Sequence, residues 1–378
     1  MSSIEQEIRD TRASLCLDCG KCTVVCPVAQ FDSSFNPRLI VQRRLGPDGS
    51  AGDDDSVWSC VSCYMCTERC NYHVRFPEFI QAMRSEALEN GAELQCAHGG
   101  TMQALMHMMA DGNVQQDRLG WLPQDVEVAS GCGTVFFVGC APYFDVVFSD
   151  LGVNTLEGVK GALRLLNRAG IPFDLLANER CCGRDLLLQG DREGFAALAR
   201  ANMEEFSRQG VKRVITGCPE GCHTMRVDYP RVLGAVGVEV LHVTEVIAPL
   251  VESGELRLGG MEKKVTYHDP CTLGRCLRVF DQPRQVLEGI AGVEVVEMEQ
   301  SREKALCCGS SPWAFCGVVN RQIQEQRLAQ AGATGAEVLV TACPKCQIHL
   351  KCAQRSGDGE GTGMEIQDLA SLAAGSLD

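Results

Sequence analysis

The second half of the chain alternates short apolar runs with longer amphipathic stretches. Short apolar runs bounded by turn formers are typical of buried strands, whereas apolar residues repeating every three to four positions indicate helices. The predicted strands are 134–139, 171–177, 211–216, 265–268, 293–298 and 338–341. The predicted helices between them are 156–169, 192–209, 284–290 and 318–331. Strands that alternate with helices favour parallel sheets with crossover helices.

The same order of elements and cysteines occurs twice, with an offset of roughly 125 to 131 residues. Each copy is therefore predicted to be a small α/β unit. The carboxyl ends of parallel strands open onto a crevice. Four cysteines follow directly after predicted strands: Cys140, Cys218, Cys271 and Cys343. The pattern predicts a binding site at the strand ends of each repeat.

The region before the repeats is predicted to be helical. Segments 76–90 and 101–110 carry apolar residues at helical spacing and end at Asn-Gly and Asp-Gly pairs. A polar loop (46–55) and a linker rich in turn formers (112–133) interrupt the chain. The expected domains are an N-terminal helical domain (1–115), a first repeat (130–255), a second repeat (260–355) and a flexible tail (356–378).

Two cysteine quartets near the start of the chain share one internal spacing. They are Cys16-x2-Cys19-x2-Cys22-x3-Cys26, followed by Pro27, and Cys60-x2-Cys63-x2-Cys66-x3-Cys70. In two-cluster ferredoxins the first three cysteines of such a run bind one 4Fe-4S cube and the fourth binds the other. We therefore expect one cluster on Cys16, Cys19, Cys22 and Cys70, and the other on Cys60, Cys63, Cys66 and Cys26. A pair of zinc sites is disfavoured, because zinc sites usually pair two separate cysteine hooks.

Composition narrows the class of protein. The 378 residues, 45% of them hydrophobic, are enough for two or three domains with buried cores. Residues 1–12 are polar and do not read as a secretory leader, so the 23 cysteines are expected to be cytoplasmic, metal-binding thiols. The longest apolar run, 135–148, is too short and interrupted to cross a bilayer. A net charge of -14 argues against nucleic acid as a partner.

Each repeat carries five cysteines, one more than a cube needs. They are Cys140, Cys181, Cys182, Cys218 and Cys222 in the first repeat, and Cys271, Cys307, Cys308, Cys343 and Cys346 in the second. Adjacent residues of a strand point to opposite faces, so each Cys-Cys pair can serve one cluster only in a turn, which the following glycine permits. Five thiols indicate a cluster of unusual shape or one with an exchangeable ligand. Simple packing cysteines would not explain why the motif occurs twice in register.

These motifs resemble the cysteine-rich repeats of the heterodisulfide reductase catalytic subunit. The quartet region is similar to the small iron-sulfur subunit of that enzyme, so the chain resembles a fusion of the two. His268-Asp269-Pro270-Cys271 and Phe137-Val138-Gly139-Cys140 also fit the strand ends of the family. The resemblance implies two cubane 4Fe-4S clusters and one or two noncubane 4Fe-4S clusters, each of the latter on the five cysteines of one repeat. The expected fold is α/β, with an N-terminal α-helical ferredoxin domain and two Rossmann-like cysteine-rich units.

The chain departs from the family pattern at two places. Three residues separate Cys218 from Cys222, where the family usually has two, which allows a simpler cluster in the first repeat. After the second Cys-Cys-Gly motif, Ser310-Ser311-Pro312-Trp313 stands where relatives often continue with glycine, which alters the shape of any substrate pocket.

The function that the resemblance implies is that of an electron-transfer subunit of a heterodisulfide reductase-like complex. Electrons would enter the cubane clusters and pass to noncubane clusters that reduce a disulfide, a two-electron reaction. The catalytic cysteines would be Cys271, Cys307, Cys308, Cys343 and Cys346. His268 is a candidate proton donor, although a histidine at a strand end is more often structural. The alternatives are a relay subunit of a quinone-linked glycolate, lactate or glycerol-3-phosphate dehydrogenase, and a zinc-stapled module without redox chemistry.

The electron donor is expected to be another protein. The glycine clusters at 131–133 and 357–363 lack the strand-turn-helix context of a flavin or nucleotide site. The expected partner is a flavin-bearing subunit, or a membrane cytochrome b that would hold the otherwise soluble chain at the inner face of the membrane. Five cysteines remain unassigned and are expected to be mostly buried thiols: Cys96, Cys132, Cys276, Cys316 and Cys352.

Overall fold

The computed structural model describes residues 3–47, 55–114, 116, 118–310, 312–356 and 363–377. Helices in the first part of the chain are α1 (Ser3–Asp10), α2 (Lys21–Val25), α3 (Pro27–Phe31), α4 (Pro37–Leu45), α5 (Met65–Glu68), α6 (Phe76–Glu89) and α7 (Thr101–Ala110). Those that follow are α8 (Ala141–Val147), α9 (Thr155–Arg168), α10 (Arg184–Gln189), α11 (Arg192–Arg208), α12 (Pro219–His223), α13 (Tyr229–Leu233), α14 (Val243–Ser253), α15 (Asp281–Glu288), α16 (Val318–Gly332), α17 (Pro344–Ser356) and α18 (Leu369–Ala374). The strands are β1 (Thr134–Phe137), β2 (Arg213–Thr216), β3 (Glu239–His242), β4 (Gly260–His268), β5 (Ala291–Val295), β6 (Val338–Thr341) and β7 (Glu365–Asp368).

The described residues form two compact units. Unit 1 is drawn from Met1–Met108, Gly183–Ala196 and Gly309–Gln324, and unit 2 from Met109–Cys182, Ala197–Cys308 and Glu325–Asp378. Short segments that follow each Cys-Cys pair thus belong to unit 1, which the predicted domain boundaries did not anticipate. No helix in the described part of the chain has the length and apolar character needed to cross a membrane.

Unit 1 has the predicted helical architecture. Helices α6 and α7 match the predicted segments 76–90 and 101–110 within one residue. Helix α6 begins with Pro77 in its first turn, where the missing N–H is harmless. It buries Phe76, Phe79, Ile80 and Met83, which are spaced three to four residues apart and form its apolar face.

Unit 2 contains two parallel sheets, one for each repeat, which confirms the predicted α/β class. The first sheet has the order β1-β2-β3 and the second β5-β4-β6-β7. Their central pairs share one register, because Phe137 pairs with Thr216 as His268 pairs with Thr341. Cys140, Cys218, Cys271 and Cys343 therefore follow the carboxyl ends of β1, β2, β4 and β6.

One predicted strand of the first repeat is not formed, and one was missed. Segment 171–177 makes only an isolated bridge between Asp174 and Val135. Its apolar residues, including Phe173 and Leu175, are buried in the core without extending a ladder. The third strand of this sheet is β3, whose four residues are too few and too polar to stand out in the sequence.

The prediction of a flexible tail is wrong for residues 363–377; residues 357–362 of that tail lie outside the described part. Strand β7 pairs in parallel with β6, and helix α18 follows it. A Cβ added to Gly161 of α9 would stand 2.5 Å from the Ala370 carbonyl oxygen. Helix α18 thus packs backbone to backbone against α9 of the first repeat, and this contact requires glycine.

Candidate iron-sulfur centres

The first candidate centre is a cavity of about 240 Å³ in unit 1. The cysteines that line it are Cys16, Cys19, Cys22, Cys66 and Cys70. Gly20 has φ 77° at the start of α2, a left-handed conformation that turns the loop of the first three thiols. Cys19 is exposed and Cys16, Cys22 and Cys70 are partly exposed. The four cysteines predicted for one cluster therefore line one cavity at the surface of this unit.

A second pocket of unit 1 is lined by Cys26, Cys60, Cys63 and Cys66. All four are buried. Burial raises the pKa of the Cys66 thiol well above its usual value, and negative charge on Cys63 and Cys60 raises it further. Since the thiolate is the form that binds metal, only a bound cation would make these buried sulfurs anionic together. Sulfur-only sets of four are ligand sets that iron-sulfur clusters take.

Arg84 of α6 supports the second pocket. Its guanidinium is fully buried and donates hydrogen bonds to the carbonyl oxygens of Cys60 (2.8 Å), Val57 (3.0 Å) and Leu188 (2.7 Å). It also lies over the Trp58 ring. Burial raises the pKa of the Cys60 thiol, and the charge of Arg84 opposes that rise. In the sequence, the signal for this role is an arginine within the apolar face of a predicted helix. The prediction of the site rested on cysteines and did not include this arginine.

The cysteines of the first repeat gather at the strand ends of its sheet. The Sγ atoms of Cys140 and Cys181 lie 3.3 Å apart. The buried carboxylate of Glu179 accepts the N–H groups of Val138 (2.9 Å) and Gly139 (2.7 Å), which fixes the loop before Cys140. Arg118 pairs with Glu179 at 3.3 Å. Burial raises the pKa of Glu179 to about 7, and the charge of Arg118 limits this rise.

Cys218 and Cys222 differ in their surroundings. Enclosure by the protein raises the pKa of Cys218 well above its usual value, and negative charge on Cys343, Glu220 and Cys182 adds to this. Cys222 is fully buried. Burial raises its pKa to about 12, and the charges that act on its thiol belong to Arg226 and Glu245 rather than to other cysteines. The charged groups that act on Cys222 thus differ from those that act on Cys218.

The second repeat has a tighter cluster. Ligand atoms of His268, Cys308 and Cys346 all lie within 4.8 Å of one another, and all three residues are buried. Hydrogen bonds link Cys308 to Cys307 and to Cys346, and Cys346 to Cys343. Hydrogen bonds with Cys307, Cys346 and His268 lower the pKa of Cys308 well below its usual value. The hydrogen bonds of Cys346 with Cys308 and Cys343 instead raise the pKa of Cys346 well above its usual value. Cys271 contacts the Thr272 hydroxyl at 3.9 Å.

Two buried arginines support the residues around the thiols of the second repeat. Arg327 donates from Nε to Nδ1 of His268 at 2.9 Å, so the ring proton lies on Nε2, which is left free to donate to sulfur. Arg284 forms a bidentate pair with Asp269 at 2.8 and 3.0 Å, and Asp269 also accepts the Arg302 N–H. Asp269 lies two residues before Cys271 and so fixes the start of that loop.

The unassigned cysteines are more exposed than expected. Cys96, Cys132 and Cys316 are exposed, and Cys276 and Cys352 are partly buried. The expectation of mostly buried thiols is therefore wrong. Besides Arg84, sequence reasoning missed Arg118, Arg327 and Arg284, which act from outside the cysteine motifs.

Comparisons with known proteins match the same regions. The cysteine-rich domain model (CCG) matches residues 134–236 and 265–351, and the 4Fe-4S dicluster domain model matches residues 12–74. The chain is 30% identical to one subunit of the dihydromethanophenazine:CoB--CoM heterodisulfide reductase of Methanosarcina mazei, over 96% of this chain and 93% of that protein.

Two longer bacterial proteins are also similar. The EtfAB:quinone oxidoreductase of Syntrophomonas wolfei is 27% identical over 94% of this chain, and the probable iron-sulfur-binding oxidoreductase FadF of Bacillus subtilis is 30% identical over 91%. The chain spans only 57% and 48% of their respective lengths.

Proposed function

Because this chain belongs to the cysteine-rich family of iron-sulfur oxidoreductases that includes heterodisulfide reductase, we propose that it is an electron-transfer subunit whose second repeat reduces a disulfide. The observation that carries the proposal is the run of hydrogen-bonded thiols Cys307, Cys308, Cys346 and Cys343 beside His268. A buried thiol set with its own histidine donor is suited to reaction with sulfur rather than to packing alone.

The proposed ligands of the two cubane clusters are supported by the pockets that they line, and those of the third cluster by the hydrogen-bonded thiols of the second repeat, to which we add Cys271 from the end of β4. Cys16, Cys19, Cys22 and Cys70 hold one cubane 4Fe-4S cluster, and Cys26, Cys60, Cys63 and Cys66 hold the other. Cys271, Cys307, Cys308, Cys343 and Cys346 hold a noncubane 4Fe-4S cluster. When bound, such clusters supply one-electron transfer at potentials set by charge and hydrogen bonding.

Residues of the second repeat position a hydrogen-bond donor for disulfide cleavage. Cleavage of a disulfide consumes two electrons and two protons and yields two thiols. Arg327 holds His268 with its Nε2 proton available, so His268 can stabilise developing negative charge on sulfur by hydrogen bonding. The electrons come from a protein partner, because the reaction needs a reductant that this chain does not generate.

Electrons enter at the first cavity of unit 1 in this proposal. Its cysteines are partly exposed, whereas those of the second pocket are buried. Leu17, which lies in the loop of Cys19, is 63% exposed, and Val24, which lies in α2 with Cys22, is 76% exposed. Exposed apolar side chains beside an accessible cluster site suit a transient protein contact. The proposed partner is a flavin-bearing subunit or a membrane cytochrome b.

The test uses protein purified without oxygen. Iron is quantified, the protein is reduced with dithionite and freed of reductant, and a mixed disulfide of two aliphatic thiols is added. We expect two thiols to be released for every two electrons consumed. Cys308→Ser should abolish the release, whereas the exposed Cys132→Ser should not change it. An iron-loaded, reduced protein that leaves the disulfide intact would contradict disulfide reduction.

The second candidate is an electron relay in a quinone-linked dehydrogenase. Its support is the similarity to an EtfAB:quinone oxidoreductase, together with the irregular spacing of Cys218 and Cys222 in the first repeat. In that case the reduced protein should not cleave the disulfide, and it should lose its electrons to a quinone through a purified partner subunit.

A further inference from the structure

The two repeats can be compared position by position because their sheets share one register. Phe137 pairs with Thr216 in the first sheet, as His268 pairs with Thr341 in the second. Phe137 and His268 each lie three positions before the first cysteine of their repeat, Cys140 and Cys271. Phe137 therefore occupies in the first repeat the place that His268 occupies in the second.

A second pair of positions follows from the Cys-Pro motif after the central strand. Cys218-Pro219 and Cys343-Pro344 each follow a strand and open a helix, with proline in its first turn. The residue three positions after the cysteine is Gly221 in the first repeat and Cys346 in the second. Of the three buried ligand groups in the second repeat, only Cys308 thus keeps an equivalent thiol, Cys182.

The side chain of Phe137 occupies the space next to the missing thiol. A Cβ built on Gly221 would lie 3.9 Å from the Phe137 ring carbon Cε1. The ring is fully buried and packs edge-on against Phe206, with centroids 6.4 Å apart. The first repeat thus has an apolar ring where the second repeat has His268, and this ring lies beside the position that corresponds to Cys346.

Cys222 does not replace the missing ligand. It follows Cys218 by four residues rather than three, and one residue rotates a helix by about 100°. Its side chain is fully buried near Arg226 and Glu245, which pair with each other at 2.6 Å. The thiol therefore lies beside this ion pair and leaves the helix in a different direction from the Cβ position of Gly221.

We propose that the five-thiolate cluster is confined to the second repeat, and that Cys222 is a structural thiol rather than a cluster ligand. The inference rests on the proposed function for the clusters themselves, and it corrects the symmetric assignment of five ligands to each repeat. The first repeat keeps four thiols: Cys140, Cys181, Cys182 and Cys218. It lacks both the fifth sulfur and the histidine donor that the second repeat provides.

The matched variants Cys222→Ala and Cys346→Ala test the proposal in the full chain. Cys346→Ala should lose about four iron atoms per chain, together with the electron paramagnetic resonance signal of the noncubane centre. Cys222→Ala should keep both, because alanine removes the sulfur without burying a new polar group. Cys222→Ser serves as a second variant if the alanine variant gives no folded protein.

The outcomes separate this inference from the function on which it rests. Equal iron loss in Cys222→Ala and Cys346→Ala would overturn the inference, because Cys222 would then be a ligand. It would not contradict the proposed function, because both repeats would still bind clusters in the wild-type protein. Full iron retention in Cys346→Ala would overturn it as well, since the second repeat would then not depend on its fifth thiol. Wild-type protein with almost no iron would instead overturn the proposed function.

Discussion

The two repeats fix their first cysteine in different ways. In the first repeat Glu179, which belongs to the segment before Cys181, accepts the backbone N–H groups ahead of Cys140 and pairs with Arg118. In the second repeat Asp269 belongs to the cysteine loop itself and pairs with Arg284. Both solutions place a buried carboxylate and an arginine at the strand end. The comparison shows that both repeats use a supporting charge pair, although its residues come from different parts of the chain.

The largest expected effect is on the second repeat. Asp269→Ala removes one of the two carboxylates that pair with the buried Arg284, the other being Glu297, and we expect the free energy of unfolding to fall by about 3 kcal/mol. Urea unfolding of the anaerobic protein measures this. Asp125→Ala is the control, because the pair of Asp125 with Arg164 is exposed to solvent and should contribute little to stability. Equal effects of the two variants would contradict a structural role for the Asp269 pair.

The edge strands β3 and β7 provide a comparison that depends on pH. His242 and Asp368 occupy equivalent register positions and cap the helices that follow. Burial lowers the pKa of His242 to about 4 and raises that of Asp368 to about 6. The contribution of His242 is therefore lost as pH falls from 6.5 toward 4, whereas that of Asp368 is lost as pH rises from 3.8 toward 6.

His242→Asn and Asp368→Asn should accordingly show opposite pH dependences. Relative to wild type, His242→Asn should gain stability as the pH is lowered, and Asp368→Asn should gain stability as it is raised. Between pH 5 and 8 the change should reach about 2 kcal/mol for His242→Asn and about 1 kcal/mol for Asp368→Asn. Urea unfolding at several pH values measures both. If the stability difference from wild type changed with pH in the same direction for both variants, the opposite pKa shifts of His242 and Asp368 would be contradicted.

The smallest expected effect is on the first repeat. Glu179→Gln keeps a hydrogen-bond acceptor for the loop before Cys140 but removes the charge opposite Arg118. Because burial already raises the pKa of Glu179 to about 7, the carboxyl is only partly ionised near neutral pH. We expect a loss of about 1 kcal/mol in unfolding free energy and faster hydrogen exchange at the Gly139 amide. A loss as large as that of Asp269→Ala would remove the difference between the repeats.

The sequence was sufficient to predict the parts of the molecule that depend on local pattern. The four thiols that cysteine spacing groups for each cluster line one pocket of unit 1, although Cys66 lines both pockets, and the repeat predicted two parallel sheets. Strands and helices with clear apolar periodicity, such as α6, α7 and β6, were predicted within one residue.

The features that escaped prediction depend on contacts between distant residues. The role of Arg84 becomes visible only when α6 packs beside Cys60, and that of Phe137 only when the two sheets are placed in one register. Strand β7 and helix α18 were mistaken for a tail because they are short, and short elements are stabilised by their neighbours rather than by their own propensity. The extra residue between Cys218 and Cys222 is visible in the sequence, but its consequence depends on the direction of the helix.

The contact of Gly161 with Ala370 also affects the order of assembly during translation. The face of α9 that α18 covers is synthesised roughly 200 residues earlier, which is about ten to forty seconds at the usual speed of a ribosome. During that interval an apolar surface beside newly made cysteines remains uncovered. All three strands of the first sheet are therefore made before the helix that covers this face of α9, and the nascent first repeat exposes apolar surface of the kind that chaperones bind.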